Sequence, residues 1–231
     1  MKRLLRWLGY GIAGLVAVAL LVGAWIWFSS SQEIGRVHTL AADPLPQPSP
    51  AQLADAGRQG RILGCVSCHG EGLRGSKFID SPVLGTLWAP NLTEVAARAT
   101  DAQLAQGIRH GIGADGRALW IMPAGPFSRL SGGEVAALIA WIRSLPRVGE
   151  RSPGLRAGPL ARVGIVSGAV EPAPAEVERF RMVQPYDLGP SHAAGRRLAA
   201  IGCAGCHGPD LGGLVGVASG DDQAGWLHAT G

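Results

Sequence analysis

Cysteine and histidine recur twice in this chain at one fixed spacing: Cys65-Val66-Ser67-Cys68-His69 and Cys203-Ala204-Gly205-Cys206-His207. Two thiols three positions apart lie on one helical turn, and a histidine follows directly. At that spacing the thiols can add to the two vinyl groups of a haem while the next residue sets an imidazole beneath the iron. Covalent attachment also keeps such a cofactor bound outside the cytoplasm, where a dissociated haem would be lost. Three other chemistries share the cysteines. A four-thiolate zinc site accounts neither for the histidine after each pair nor for half-sites 138 residues apart. A thioredoxin-like redox pair needs a strand–helix–strand setting that the pattern lacks. Two structural disulfides leave the paired histidines without a role.

The repetition extends beyond the motif. Ala56-Gly57-Arg58 precedes Cys65 at the offset at which Ala194-Gly195-Arg196 precedes Cys203, and each motif is followed by an aligned leucine and glycine, Leu73 and Gly75 or Leu211 and Gly213. A match at one shift without a gap marks a duplicated module. In the first copy Met122 is the candidate distal iron ligand: it lies 53 residues after His69, beside Pro123, in a Gly/Pro-rich loop. A thioether on iron raises the reduction potential, which suits electron transfer. His110 is the alternative, a bis-histidine site, although a cation just before Gly111 also serves to complement a helix C-terminus. In the second copy the position matching Met122 would be 260, and the sequence ends at Gly231. His207 is therefore a proximal ligand with no aligned distal partner; His228 and Met182 are the remote candidates. The expected reading is a truncated second module, with an exposed haem of unsettled sixth ligand as the alternative.

Positioning these groups falls to a few short elements. Trp7 to Phe28 is 22 residues without a charge, about 33 Å as a helix and long enough for a bilayer core. It lacks a small-x-small cleavage site and carries Trp7, Tyr10, Trp25 and Trp27 near its ends, as an uncleaved anchor does. Lys2, Arg3 and Arg6 place its N-terminus in the cytoplasm and the remainder outside. These three residues supply most of the net charge of +4, so nothing favours a nucleic-acid partner. Residues 29–49 read as a Pro-rich, semi-rigid spacer lifting the next domain off the membrane. Helices are expected over Ala51–Leu63, over Asp101–His110 behind Thr100, and over Val135–Leu145 behind the capping-box spacing of Ser131 and Glu134. Trp141 is expected to pack the last of these on the first, with Trp88, Trp120 and Phe127 lining an apolar pocket. No segment shows sustained strand alternation. The expected architecture is all-α: an anchor over 1–28, a first domain over 50–146, an extended connector over 147–190, and an incomplete second domain over 191–231 that buries little apolar surface.

Residues 50–146 resemble a class I cytochrome c domain, with a helix into C-x-x-C-H, a distal methionine and a closing helix. Trp88-Ala89-Pro90-Asn91-Leu92-Thr93, Asp115-Gly116-Arg117 with Met122-Pro123, and Ala140-Trp141-Ile142-Arg143-Ser144-Leu145-Pro146 are similar to segments of membrane-anchored dihaem cytochromes. The resemblance implies two haem c groups, attached through Cys65 and Cys68 and through Cys203 and Cys206. His69, Met122 and His207 would be the iron ligands. It further implies a one-electron carrier with no substrate chemistry of its own, at the outer face of the cytoplasmic membrane. Its redox partner would be a dehydrogenase, an oxidase or a soluble cytochrome. A dihaem, peroxidase-like enzyme with an open iron site at the second haem is the competing expectation.

Overall fold

The computed structural model describes residues 2–41 and 44–213. Helix α1 (Lys2–Gly35) is the one helix among the described residues long and apolar enough to cross a membrane, and it runs past the apolar stretch to Gly35. Only Ser30 along it is buried. The chain then folds back on the globular body. His38 N–H donates to the Gly116 carbonyl (2.8 Å), Gln106 donates to the Leu40 carbonyl (3.3 Å), and Val37 pairs with Arg117. Residues 37–40 thus lie along the domain.

Helix α2 (Pro50–Ile62) starts where the backbone chemistry dictates. Ser49 and Gln52 exchange side-chain and backbone hydrogen bonds at its N-terminus, and Pro50 sits where a missing N–H costs nothing. The short helix α3 (Cys65–His69) carries the first motif. It is followed by strands β1 (Ser76–Ser81) and β2 (Gly85–Ala89) and helix α4 (Leu92–Ala96). Helix α5 (Asp101–His110) has the expected Thr100 cap, in a reciprocal box with Gln103, and stops at Gly111 with φ 65°. Helix α6 (Ala124–Phe127) follows the methionine loop. Helix α7 (Gly132–Ser144) opens on the Ser131–Glu134 box. Leu73, Leu104, Phe127, Val135, Leu138, Ile139 and Ile142 form the buried core among these elements. The expected role of Trp141 holds: its indole lies over Gly57 and Gly60, so the absence of two side chains on α2 is what lets α7 approach.

Two expectations need correction. The fold is mostly helical but not all-α, because β1 and β2 pair antiparallel and are joined by β3 (Leu155–Ala157) in a sheet of order β1-β2-β3. The strands escape pattern recognition because a register shift between Lys77 and Ile79 breaks the two-residue period, and β3 is only 3 residues long. The stretch 147–190 is not merely extended. It holds β3, helix α8 (Pro159–Ser167) and helix α9 (Ala173–Met182). Proline opens both helices, and Gly168 at φ 77° closes α8. Val177 and Phe180 of α9 are buried, and α9 packs on α6.

The second module repeats the first in backbone as well as in sequence. Helices α10 (Ala193–Gly202) and α11 (Ala204–His207) lead into a turn in which Gly208 and Leu211 take φ 83° and 66°, as Gly70 and Leu73 take 75° and 57°. In the two copies the carbonyl of the motif histidine accepts from Gly75 N–H at 2.7 Å and from Gly213 N–H at 2.8 Å. A Cβ on Gly70 or Gly208 would press on that glycine's carbonyl oxygen, at 3.2 Å and 2.8 Å respectively. The aligned glycines therefore answer both to positive φ and to close approach. Among the described residues of the module, Ala200 and Ala204 are buried while Leu198 is exposed.

Candidate functional site

The first motif is built so that each of its three reactive side chains is held differently. Gly64, at φ 80°, turns the chain from α2 into α3, which places Cys65 and Cys68 on one turn. Both thiols are free and partly buried. Burial pushes the Cys65 thiol up to about 11, so its surroundings do not favour a thiolate. Ser76 Oγ donates to the Cys68 carbonyl, and Cys68 N–H donates to the Gly64 carbonyl at 3.0 Å, fixing the turn from both sides.

His69 is 6% exposed. Its Nδ1–H donates to the Pro90 carbonyl at 2.8 Å. Burial holds the imidazole below its ordinary value, the bond to Pro90 acting the other way. A neutral imidazole whose Nδ1 carries the proton presents an unprotonated Nε2, the form that binds a metal. The Pro90 carbonyl is thus a functional atom that sequence reading alone did not isolate. Its position is set by Asn91, a residue 1% exposed. Asn91 Nδ2 donates to the carbonyls of Val148 (2.7 Å) and Glu150 (3.2 Å), while its Oδ1 accepts from Thr93 N–H (3.1 Å) and Thr93 Oγ1 (2.7 Å) and caps α4. Glu94 adds an ion-pair clamp with Arg147 and Arg98 around the same loop. The signal available in sequence was the cap pattern Asn91-Leu92-Thr93-Glu94.

Met122 is partly buried and packs on the same core cluster as Cys65 and Val66. The residue before it, Ile121, has φ 67°, which a β-branched side chain rarely adopts. Ala124 N–H closes the loop on the Met122 carbonyl at 2.7 Å. Of the other candidates, His110 ends α5 with intermediate burial, Phe127 lies in the core, and Trp88 carries Lys77 Nζ 5.5 Å from its ring centre.

The second motif differs in its surroundings. Cys203 and Cys206 are free and exposed. Among the described residues the buried His207 Nδ1 has no hydrogen-bond partner, where His69 has Pro90. Met182 is 72% exposed, and His228 lies outside the described residues. Helix α11 rests on α6, so that a Cβ on Gly205 would lie 3.3 Å from Pro126 Cγ. Among the described residues no cluster of three or more His, Cys, Asp or Glu side chains is arranged to hold a metal ion. The two cysteine pairs therefore do not converge on a zinc site.

What the first site offers is two free thiols on one turn, a buried neutral imidazole with Nδ1 engaged, and a thioether anchored on the shared core. That donor set fits a covalently held haem with histidine and methionine on the iron. Residues 52–146 match the cytochrome c family. The match covers the first motif and Met122 and ends before the second motif. The chain is also similar to the subunit described as "Alcohol dehydrogenase (quinone), cytochrome c subunit", at 36% identity over 90 residues, in Gluconacetobacter polyoxogenes and in Komagataeibacter europaeus. Each match covers 35% of this chain and 19% of the relative, so the chain spans about a fifth of the length of these curated relatives.

Proposed function

We propose that this protein is a one-electron carrier that holds c-type haem at the outer face of the cytoplasmic membrane and accepts electrons from a dehydrogenase. The observation that carries the reading is the engaged Nδ1 of the buried His69 directly after two free thiols. Haem, when bound, supplies the one-electron couple. The residues of the chain do the rest. Cys65 and Cys68 would hold the macrocycle covalently, the Pro90 carbonyl keeps the His69 ring oriented with Nε2 free for the iron, and Met122 would supply a thioether ligand. Leu73, Leu104, Phe127 and their neighbours keep water from the site. Cys203, Cys206 and His207 are proposed as a second attachment point. The dehydrogenase partner is inferred from the printed description of the two relatives, and the membrane position from α1.

Intact mass of the purified protein tests the attachment. Two haem additions, reduced to one by Cys203→Ser with Cys206→Ser, support both sites. One addition that survives that change would remove the second site from the proposal, and none would remove the function.

The exposure of Cys203 and Cys206 favours a second reading for that site alone: a peroxidase-like open iron. Peroxide turnover abolished by His207→Ala would support it, whereas fast exchange with a redox partner and no turnover would discard it.

A further inference from the structure

Beyond the anchor, α8 and the β1–β2 turn present a connected apolar surface beside the outer end of α1. Leu160 and Val163, three apart on one side of α8, are 55% and 43% exposed, while Ile165 is buried. Val83 and Leu84 are 53% and 40% exposed. They are tied to α8 through the backbone: Leu160 N–H donates to the Val83 carbonyl at 3.0 Å, and Gly158 N–H donates to the Leu84 carbonyl at 2.9 Å.

The height of this surface relative to a bilayer is set by Arg162, which lies between Leu160 and Val163. Its guanidinium stacks 3.6 Å over the Trp27 ring. It also donates to the Trp27 carbonyl (3.3 Å), Ser30 Oγ (2.8 Å) and Ser31 Oγ (2.9 Å), while Nε donates to the Ala157 carbonyl (3.2 Å). Trp27 is one residue from the outer end of the uncharged stretch, the depth at which indole rings settle among lipid headgroups. An arginine held at that depth keeps its charge near the headgroups while its flanking side chains reach the acyl boundary. Three residues beyond the end of α1, His38 N–H is already bonded to the Gly116 carbonyl of the domain, which ties the body close to the outer end of the helix.

We infer that Val83, Leu84, Leu160 and Val163 dock on the lipid surface itself, so that the cytochrome domain is held against the bilayer in one orientation instead of being tethered above it. This inference rests on the reading of α1 as a membrane span.

The haem-loaded full chain in nanodiscs tests it, with an environment-sensitive fluorophore on a single added cysteine: Leu160→Cys, Val83→Cys, Asp115→Cys as the aqueous comparison, and Leu15→Cys within the span. Labels at 160 and 83 are expected to shift to the blue and lose intensity to bromine-bearing lipids, the label at 115 to do neither, and the label at 15 to be quenched most. Quenching at 15 with aqueous behaviour at 160 and 83 would overturn the docking and leave the span standing. No quenching at 15 would overturn both. Protection at 160 that appears only on adding a partner dehydrogenase, or only as protein is concentrated without lipid contact, would assign the surface to a protein and overturn the lipid reading. Because all four sites are exposed, labelling does not disturb the core, and Arg162→Leu provides a second variant in which the shift at 160 should shrink while the quenching at 15 remains.

Discussion

Replacing Gly60 by alanine tests the packing that brings the first motif helix into place. A Cβ on Gly60 would lie 2.7 Å from Trp141 Cη2, 2.9 Å from Cε3 and closer still to Cζ3. Ordinary carbon contacts start near 3.5 Å, so the ring must move by roughly an ångström or the helices must part. Overpacking of this kind costs about 1–3 kcal/mol. Against it stands the gain of about 1 kcal/mol when alanine replaces glycine inside a helix. The net change in the native background is thus a loss of about 0–2 kcal/mol. When Trp141 is first removed, the loss disappears and only the gain is left. Trp141→Ala by itself should cost about 3–5 kcal/mol through the cavity it opens. Urea unfolding of the haem-loaded protein, followed by helical circular dichroism and by the haem absorption, gives the four corners of a double-mutant cycle. The expected coupling between positions 60 and 141 is about 1–3 kcal/mol, with Gly60→Ala changing sign between backgrounds. If Gly60→Ala has the same effect with and without the indole, to within about 0.5 kcal/mol, then the ring does not sit in the glycine notch and the reasoning fails.

Met122→Leu should keep the haem attached, lower the reduction potential of the first site and change the spectrum of its iron ligation. Spectroelectrochemistry reads both, and an unchanged potential would remove Met122 from the iron. Ile121→Gly relieves φ 67° at a residue 48% exposed and should stabilise the protein by about 1 kcal/mol in urea unfolding; equal or lower stability would show that the loop gains from isoleucine. The carboxyl of Glu94 is held below its ordinary value of 4.5, first by the hydrogen bond from Arg147 and against the effect of burial. A depressed folded value means that this stabilisation is present above pH 4.5 and is lost as pH falls through the lower folded value. Glu94→Gln should therefore be less stable than the parent at pH 7, with the gap closing under acid; a gap constant in pH would contradict the ion-pair account.

The parts of the fold that announce themselves in sequence are those governed by local chemistry. Ser49 with Gln52, Thr100 with Gln103 and Ser131 with Glu134 are cap pairs three residues apart, and each starts a helix where its spacing says. Trp141 was legible because a large ring on an apolar helix needs a recess, and Gly57 and Gly60 provide one. The sheet was not, since β2 finds β3 some seventy residues later and the bulge at Lys77–Ile79 conceals the strand period. The helices of 147–190 carried proline and glycine punctuation, but α9 gains its stability from Val177 and Phe180 meeting α6, which no local pattern records. At the site, residue types and spacing pointed to the thiols, His69 and Met122. The Pro90 carbonyl stayed hidden because a backbone oxygen is no particular residue's signature, and only the fold says which histidine it faces.

Helix α6 touches both halves of the molecule: it begins two residues after Met122, and its Pro126 lies under Gly205 between Cys203 and Cys206. The distal loop of one candidate haem and the attachment turn of the other are thus two sides of a four-residue helix. With both loaded, the gap between the two redox centres would be a property of the fold, fixed by van der Waals contact and independent of protein concentration, ionic strength or the lifetime of any encounter. Bulk added at Gly205 would press on Pro126 and move the second attachment turn away from α6 without replacing any candidate ligand.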